Sequence, residues 1–220
     1  MLQPSVIKFL KGLKKNNNKP WFDKNRDQYE AARSDFHSFL EQLIAAIAVF
    51  DKPIGTLAVK ECVFRINRDI RFSKDKTPYK SNMAGYFNKD GKKSNGAGYY
   101  LHIEPGRSFA AGGMWQPIPP DLAKIRQEID YNFNDWKKIS NAPSFKKMFA
   151  EGINSEESLV RPPKGYDDNN PAIEYLKMKN FIVSRSFTDA GVQNKNFVKD
   201  VAKTFQAMKP LIDFLNTAIE

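Results

Sequence analysis

This 220-residue chain has few cysteines, few histidines and no long apolar run, and each shortage removes a class of function. No apolar stretch approaches the ~20 residues that a membrane-spanning helix needs. The single cysteine, Cys62, excludes an intramolecular disulfide framework, and nothing spaces cysteine and histidine for zinc. The two histidines, His37 and His102, share no motif, so they are a weak basis for metal or acid–base work. Neither a Gly-rich phosphate loop followed by Lys-Ser/Thr nor a dinucleotide fingerprint occurs. The N-terminal stretch lacks the apolar core and small-residue cleavage site of a secretory signal, and it is rich in Lys rather than in Arg and Ser. With one unpaired cysteine, the expected location is cytoplasmic.

Hydrophobic residues make up 41% and charged residues 27%, a balance that supports a proper core. The expectation is a single α+β domain over 1–220. Lys plus Arg is 35 and Asp plus Glu is 25, a net charge of +10. The excess is local. Met1 to Arg26 holds seven bases and one acid, and Lys60 to Lys93 holds ten bases and four acids. Such fields attract phosphate esters, carboxylates, nucleic acid or acidic lipid headgroups. A solubilising lysine surface is the plain alternative, and it fits the first segment better than the second, where three Arg are closely spaced.

Hydrophobic periodicity predicts helices over 4–14 and from Pro20 to about Phe50, the second ended by Asp51-Lys52-Pro53-Ile54-Gly55. Alternation then predicts strands over Val59–Ile66, Asn82–Asn88, Tyr99–Glu104, Ser108–Trp115 and Asn180–Phe187. Short Gly-containing turns join three of them into an antiparallel meander. Further helices are predicted from Pro119, over Phe133–Ile139 and Pro143–Ala150, as a turn over Ala172–Met178, and over Gln193–Ile219, where Pro210 should kink or break the last. Residues 152–171 read as a surface loop with a short strand near Leu159. The fold class is α+β: an antiparallel sheet of about five strands packed with long helices at both ends of the chain.

The most informative stretch is Arg65-Ile66-Asn67-Arg68-Asp69-Ile70-Arg71-Phe72-Ser73-Lys74-Asp75-Lys76-Thr77-Pro78-Tyr79-Lys80. Arg65, Arg68 and Arg71 are three apart, a spacing that a tight turn points to one side. Guanidinium forks suit phosphate or carboxylate, because they offer two parallel donors at fixed geometry. Lys76, Tyr79 and Lys80 extend the anion-binding set, and Asp69 and Asp75 are struts that hold the bases in place. The competing interpretation is a charged loop whose Arg and Asp residues pair with one another.

Trp21, Asn25, Arg26, His102 and Trp115 are pocket-wall candidates. Trp21 and Phe22 more often anchor a helix start to the core. His102 shares a strand face with Tyr100 and Glu104, and a satisfied structural histidine is the plainer account. Asp69, Asp75 and Glu104 are the acids near this segment. The surrounding bases argue against a magnesium ion, so no metal is expected. Cys62 is expected to be a buried, inert thiol.

The pattern R-x-x-R-D-x-R-F-S-x-D-K-x-P-Y-K in this stretch resembles the signature of an uncharacterised family, domain of unknown function 2461. Phe9–Asn17 (F-L-K-x-L-x-x-N-N), Trp21–Tyr29 (W-F-x-x-N-R-x-x-Y), Gly98–Pro105, Gly112–Pro117 and Leu176–Lys179 agree with it in order. The resemblance implies one α+β domain in a cytosolic setting, and no activity, cofactor or substrate. The residues therefore leave three functions open. The first is a pocket for an anionic small molecule. If chemistry follows binding, Arg would stabilise charge and His102 or Tyr79 would move the proton. The second is nucleic-acid binding through segments 1–26 and 60–93. The third is a structural or interaction protein whose Arg loop only braces the fold.

Overall fold

The computed structural model describes residues 1–155 and 157–220. Pro4 opens α1 (Pro4–Lys15), where its missing N–H costs nothing, and Lys14 and Lys15 favour the dipole in the last turn. Val6, Ile7, Phe9, Leu10 and Leu13 form its buried stripe. Asn18 caps α2 (Lys19–Lys24) by accepting the Trp21 N–H at 2.9 Å. α3 (Arg26–Ala48) buries Phe36, Phe39, Leu40, Leu43 and Ile47 at helical spacing. After a 3-10 turn (Lys52–Thr56) comes α4 (Val59–Cys62).

The sheet is antiparallel, in the order β1 (Met83–Phe87), β2 (Gly98–Ile103), β3 (Ser108–Met114), β4 (Phe181–Phe187). Between β3 and β4 lie α5 (Pro119–Tyr131), α6 (Phe133–Asn141), α7 (Pro143–Met148) and α8 (Ile173–Leu176). α9 (Asp189–Val192) and α10 (Phe197–Ile219) complete the chain. No described helix is long and apolar enough to cross a membrane.

The chain divides into two compact units. The first is Met1–Lys92, Tyr100–Ala110 and Ser186–Lys203; the second is Lys93–Tyr99, Ala111–Arg185 and Thr204–Glu220. In the first, Phe39 of α3 stacks on Phe197 with ring centroids 5.3 Å apart, and Leu101 and Ile103 are fully buried. Each such side chain stabilises the unit by roughly 1.5–3 kcal/mol. In the second, Trp136 is the central ring, edge-on to Tyr175, Phe181 and Phe214 at 5.4, 5.9 and 5.1 Å.

Four strands are present among the described residues, one fewer than the sequence pattern predicts. Val59–Ile66 is not a strand. Val59–Cys62 winds into one helical turn, and only Val63 bridges to Gly85. The turn is held by one of its own side chains and by a residue distant in sequence. Glu61 Oε2 accepts the Ala58 N–H at 2.8 Å, and Lys92 Nζ, 29 residues beyond Val63, donates to the carbonyls of Lys60 and Val63. The expected helix from Pro20 to Phe50 is two helices that meet at Asn25, where the side-chain amide joins the backbone N–H on the Trp21 carbonyl, at 2.8 and 3.1 Å. The last long helix begins at Phe197 rather than Gln193 and runs unbroken through Pro210. The strand near Leu159 reduces to isolated bridges, Asn154 with Ile182 and Ser158 with Met178. Glu156, in the same loop, lies outside the described residues.

Gly113 has a φ of 124°, and a Cβ there would lie 1.9 Å from the Phe181 carbonyl oxygen. Gly106 has a φ of 77° with nothing within 4 Å of the same position. Gly113→Ala is therefore expected to cost roughly 3 kcal/mol or more in chemical denaturation, and Gly106→Ala about 1–2 kcal/mol. Equal costs would contradict this account of the β3–β4 approach.

Candidate functional site

The basic loop is a closed, self-braced structure in the first unit. Its stems pair through the bridge between Asn67 and Tyr79, with Arg68 N–H donating to the Pro78 carbonyl at 2.9 Å and Lys80 N–H to that of Ile66 at 2.8 Å. Arg68 lies across the loop and donates to Asp75 Oδ2, Thr77 Oγ1 and Ser73 Oγ. Asp75 also accepts the Thr77 N–H at 2.9 Å. That backbone bond, then Arg68 and the Thr77 hydroxyl, lower its pKa to about 2. Arg71 forms a fork on Asp69 at 3.0 and 2.7 Å, and Lys76 donates to the Ile70 carbonyl at 3.1 Å. Arg68, Arg71 and Lys76 thus have partners inside the loop, as do the struts Asp69 and Asp75. Phe72 is left at the tip, 94% exposed.

The far stem is anchored to the N-terminal helices. Tyr79 is buried, and its ring stacks on Phe22 at 4.0 Å. Asn17 donates to the Tyr79 carbonyl at 2.9 Å and accepts its N–H at 3.1 Å, using one amide as a strand would. Arg26 lies over the Phe22 ring and pairs with Asp23. Trp21 covers Gly12 of α1, where an added Cβ would meet the indole at 2.9 Å, and Asn25 is taken up at the junction of α2 and α3. These residues hold the stem.

Among the described residues Arg65, Lys74, Lys76 and Lys80 form no ion pair, and two of these four, Arg65 and Lys80, are neighbours beside the sheet. Arg65 is exposed, and Lys80 is half-buried with its ammonium 5.4 Å from the centre of the Phe64 ring. Burial, then the neighbouring Arg65 charge, lower the Lys80 pKa. Phe64 is edge-on to Tyr100 at 6.2 Å, which leads onto β2.

Strand periodicity places Tyr100, His102 and Glu104 on one face and Leu101 and Ile103 in the core. His102 Nε2 lies 3.2 Å from Glu104 Oε2. Its Nδ1 lies 2.9 Å from the Asn82 amide nitrogen and 3.1 Å from the Tyr100 hydroxyl. A carboxylate only accepts and Asn Nδ2 only donates, so the proton of a neutral His102 is on Nε2. Burial outweighs the pull of Glu104 and lowers the His102 pKa below 6.5. Burial also opposes ionisation of Glu104, yet hydrogen bonds from His102, Lys14 and Ser81 prevail and lower its pKa. Burial pushes the Tyr100 phenol up to about 12. His102 also stacks on Phe109 at 4.7 Å.

The matched pattern spans residues 5–214, the extent of the model for a conserved hypothetical protein family (DUF2461). The chain belongs to this family. No curated protein and no solved structure matches it.

Of the candidate residues, Arg65, Lys80 and His102 are linked through Phe64 and Tyr100. Trp115 belongs to the second unit. Cys62 is fully buried, with its thiol pushed up to about 11 by burial. Sequence reasoning left out Asn17, Ser81, Asn82 and Lys14, which complete these networks. The Asn16–Asn17 pair was the one visible signal, since an amide both donates and accepts.

Two titrations check this arrangement. Asp75 has a lower pKa folded than unfolded, so its stabilising effect is present above pH 3.8 and is lost as pH falls toward about 2. Arg68→Ala should move the Asp75 NMR titration part of the way back toward 3.8, the Thr77 bond holding the remainder. His102 likewise has a lowered pKa, so its contribution is complete above pH 6.5 and is lost as pH falls through the folded value. Nitrogen NMR should show the Nε2–H tautomer. A cationic His102 at pH 6.5 would contradict the network.

Proposed function

We propose that the first unit binds an anionic small molecule, carrying phosphate or carboxylate, at Arg65 and Lys80 beside the Tyr100–His102 face. The observation that supports this reading is a pair of neighbouring cations, one of them half-buried, that form no ion pair among the described residues. Desolvating an ammonium beside a like charge is unfavourable, and an anion placed between them relieves both effects. Arg68, Arg71 and Lys76 act one step back, by holding the loop. Tyr100 is a protonated phenol, and both His102 nitrogens are engaged. These states favour binding over acid–base chemistry.

The nucleic-acid alternative rests on a different feature. Phe72 is 94% exposed at the tip of a basic loop, with the Arg71 guanidinium 5.8 Å from its ring centre. Aromatic side chains held in this way stack on unpaired bases.

Thermal-shift screening of phosphorylated and carboxylated metabolites, followed by calorimetry, separates the readings. A selective ligand should raise the melting temperature and lose roughly tenfold or more in affinity in Arg65→Ala and in Lys80→Ala. Arg68→Ala should lower the melting temperature of the free protein. Binding that survives the Arg65→Ala/Lys80→Ala double variant would overturn the site. Affinity for short single-stranded oligonucleotides that falls steeply with salt and needs Phe72 would decide for nucleic acid.

A further inference from the structure

A second concavity lies wholly within the second unit, lined by Trp115, Glu151, Gly152, Asn154, Asn180, Ile182 and Ser184. Its most unusual member is Trp115, the residue that follows β3 (Ser108–Met114). A tryptophan serving the core is buried, as Trp136 is, whereas Trp115 is 51% exposed. The backbone is strained to keep it there. Gln116 has a φ of 48°, the one positive value among described non-glycine residues, a region that a side chain disfavours.

The strain is held from below. The Gln116 N–H donates to Asn180 Oδ1 at 2.6 Å, and Asn180 is only 2% exposed. The Asn180 N–H donates in turn to Ser155 Oγ at 3.2 Å. Asn154 is fixed by two backbone bonds with Ile182, at 2.8 and 3.1 Å. Ile182 and Ser184 share a face of β4, with the buried Val183 on the other. Gly152, with a φ of 67° and nothing within 4 Å of a Cβ position, keeps one wall open. An aromatic plane and a set of short polar side chains are thus held on paired backbone, as a preformed site requires.

The lining specifies the ligand. It contains no lysine or arginine, so a phosphate or carboxylate would find no charge partner. Its exposed polar groups are the Asn154 amide, the Ser184 hydroxyl and the Glu151 carboxylate, while Asn180 is buried beneath them with its Oδ1 taken by the Gln116 N–H. Donors and acceptors that line one concavity in this way match adjacent hydroxyl groups, which both donate and accept. An indole face matches the flat C–H face of a pyranose ring, and Ile182 adds apolar surface. From this geometry we infer that the Trp115 concavity is a binding subsite for a neutral, polyhydroxylated ring, a sugar. It is separate in residues and in ligand charge from the anion site of the first unit.

The test uses the full-length chain with glucose, N-acetylglucosamine, maltose and cellobiose as probes, and adenosine as an aromatic comparator. At least one sugar should give saturable saturation-transfer NMR signals and a blue shift in tryptophan emission. Trp115→Ala should abolish the NMR signals and leave the melting temperature near that of the parent. Asn154→Ala should weaken binding roughly tenfold, with its own melting curve showing that the fold is kept. Absence of binding by all four sugars, binding retained in Trp115→Ala, or adenosine binding at Trp115 without any sugar would each overturn the assignment.

Discussion

Arg68 is the interaction on which the first unit's candidate site depends. One guanidinium gathers Asp75, Thr77 and Ser73 from the opposite side of the loop, and so closes a segment that carries six bases and two acids. Without Arg68, Asp75 would keep only its bonds from Thr77, and the two sides of the loop would lose this tie. The acids Asp69 and Asp75 each hold an arginine, which removes Arg71 as well as Arg68 from the set of free cations. Of the cations left outside these ion pairs, Arg65 and Lys80 sit at the stems, and Phe72 is exposed at the tip. The brace therefore decides which charges are available to a ligand, although it need not touch one.

The second layer of the site follows from strand geometry. A period of two assigns Leu101 and Ile103 to the core and leaves Tyr100, His102 and Glu104 on one line. A buried carboxylate on that line would be unstable alone. Lys14, Ser81 and His102 each donate to it, and Asn82 and Tyr100 complete the imidazole. A fully satisfied polar network of this kind fixes side chains more rigidly than isolated surface groups do. It gives the stem cations a fixed neighbour.

The second unit makes the same point with backbone in place of charge. Gly112 admits Met208, since a Cβ there would lie 2.6 Å from the sulfur, and Gly113 admits the Phe181 carbonyl. The tight approach ends in the strained Gln116, held by Asn180. The exposed indole beside it is a product of those constraints, which explains why a short Gly-Gly-Met-Trp-Gln-Pro run contains both the closest packing and the most open aromatic of this segment.

Legible in the residues alone are the α+β class, the family, the faces of α1 and α3, the strands of the meander, and the alternation that groups Tyr100, His102 and Glu104. These follow from local periodicity, and local periodicity is written in neighbouring residues. The sequence misassigned Val59–Cys62, because that turn is closed by Lys92, and it missed the break at Asn25, whose side-chain amide adds a second donor at the Trp21 carbonyl. It marked the Arg loop as the informative segment with internal pairing as one interpretation, yet it could not say which arginines are paired and which are open. That is decided by contacts between distant residues: Arg68 with Thr77, Asn17 with Tyr79, Phe64 with Tyr100, Asn180 with Gln116. Charge, hydrogen bonding and stacking act through space at a few ångströms. Only the tertiary structure brings those groups within that range.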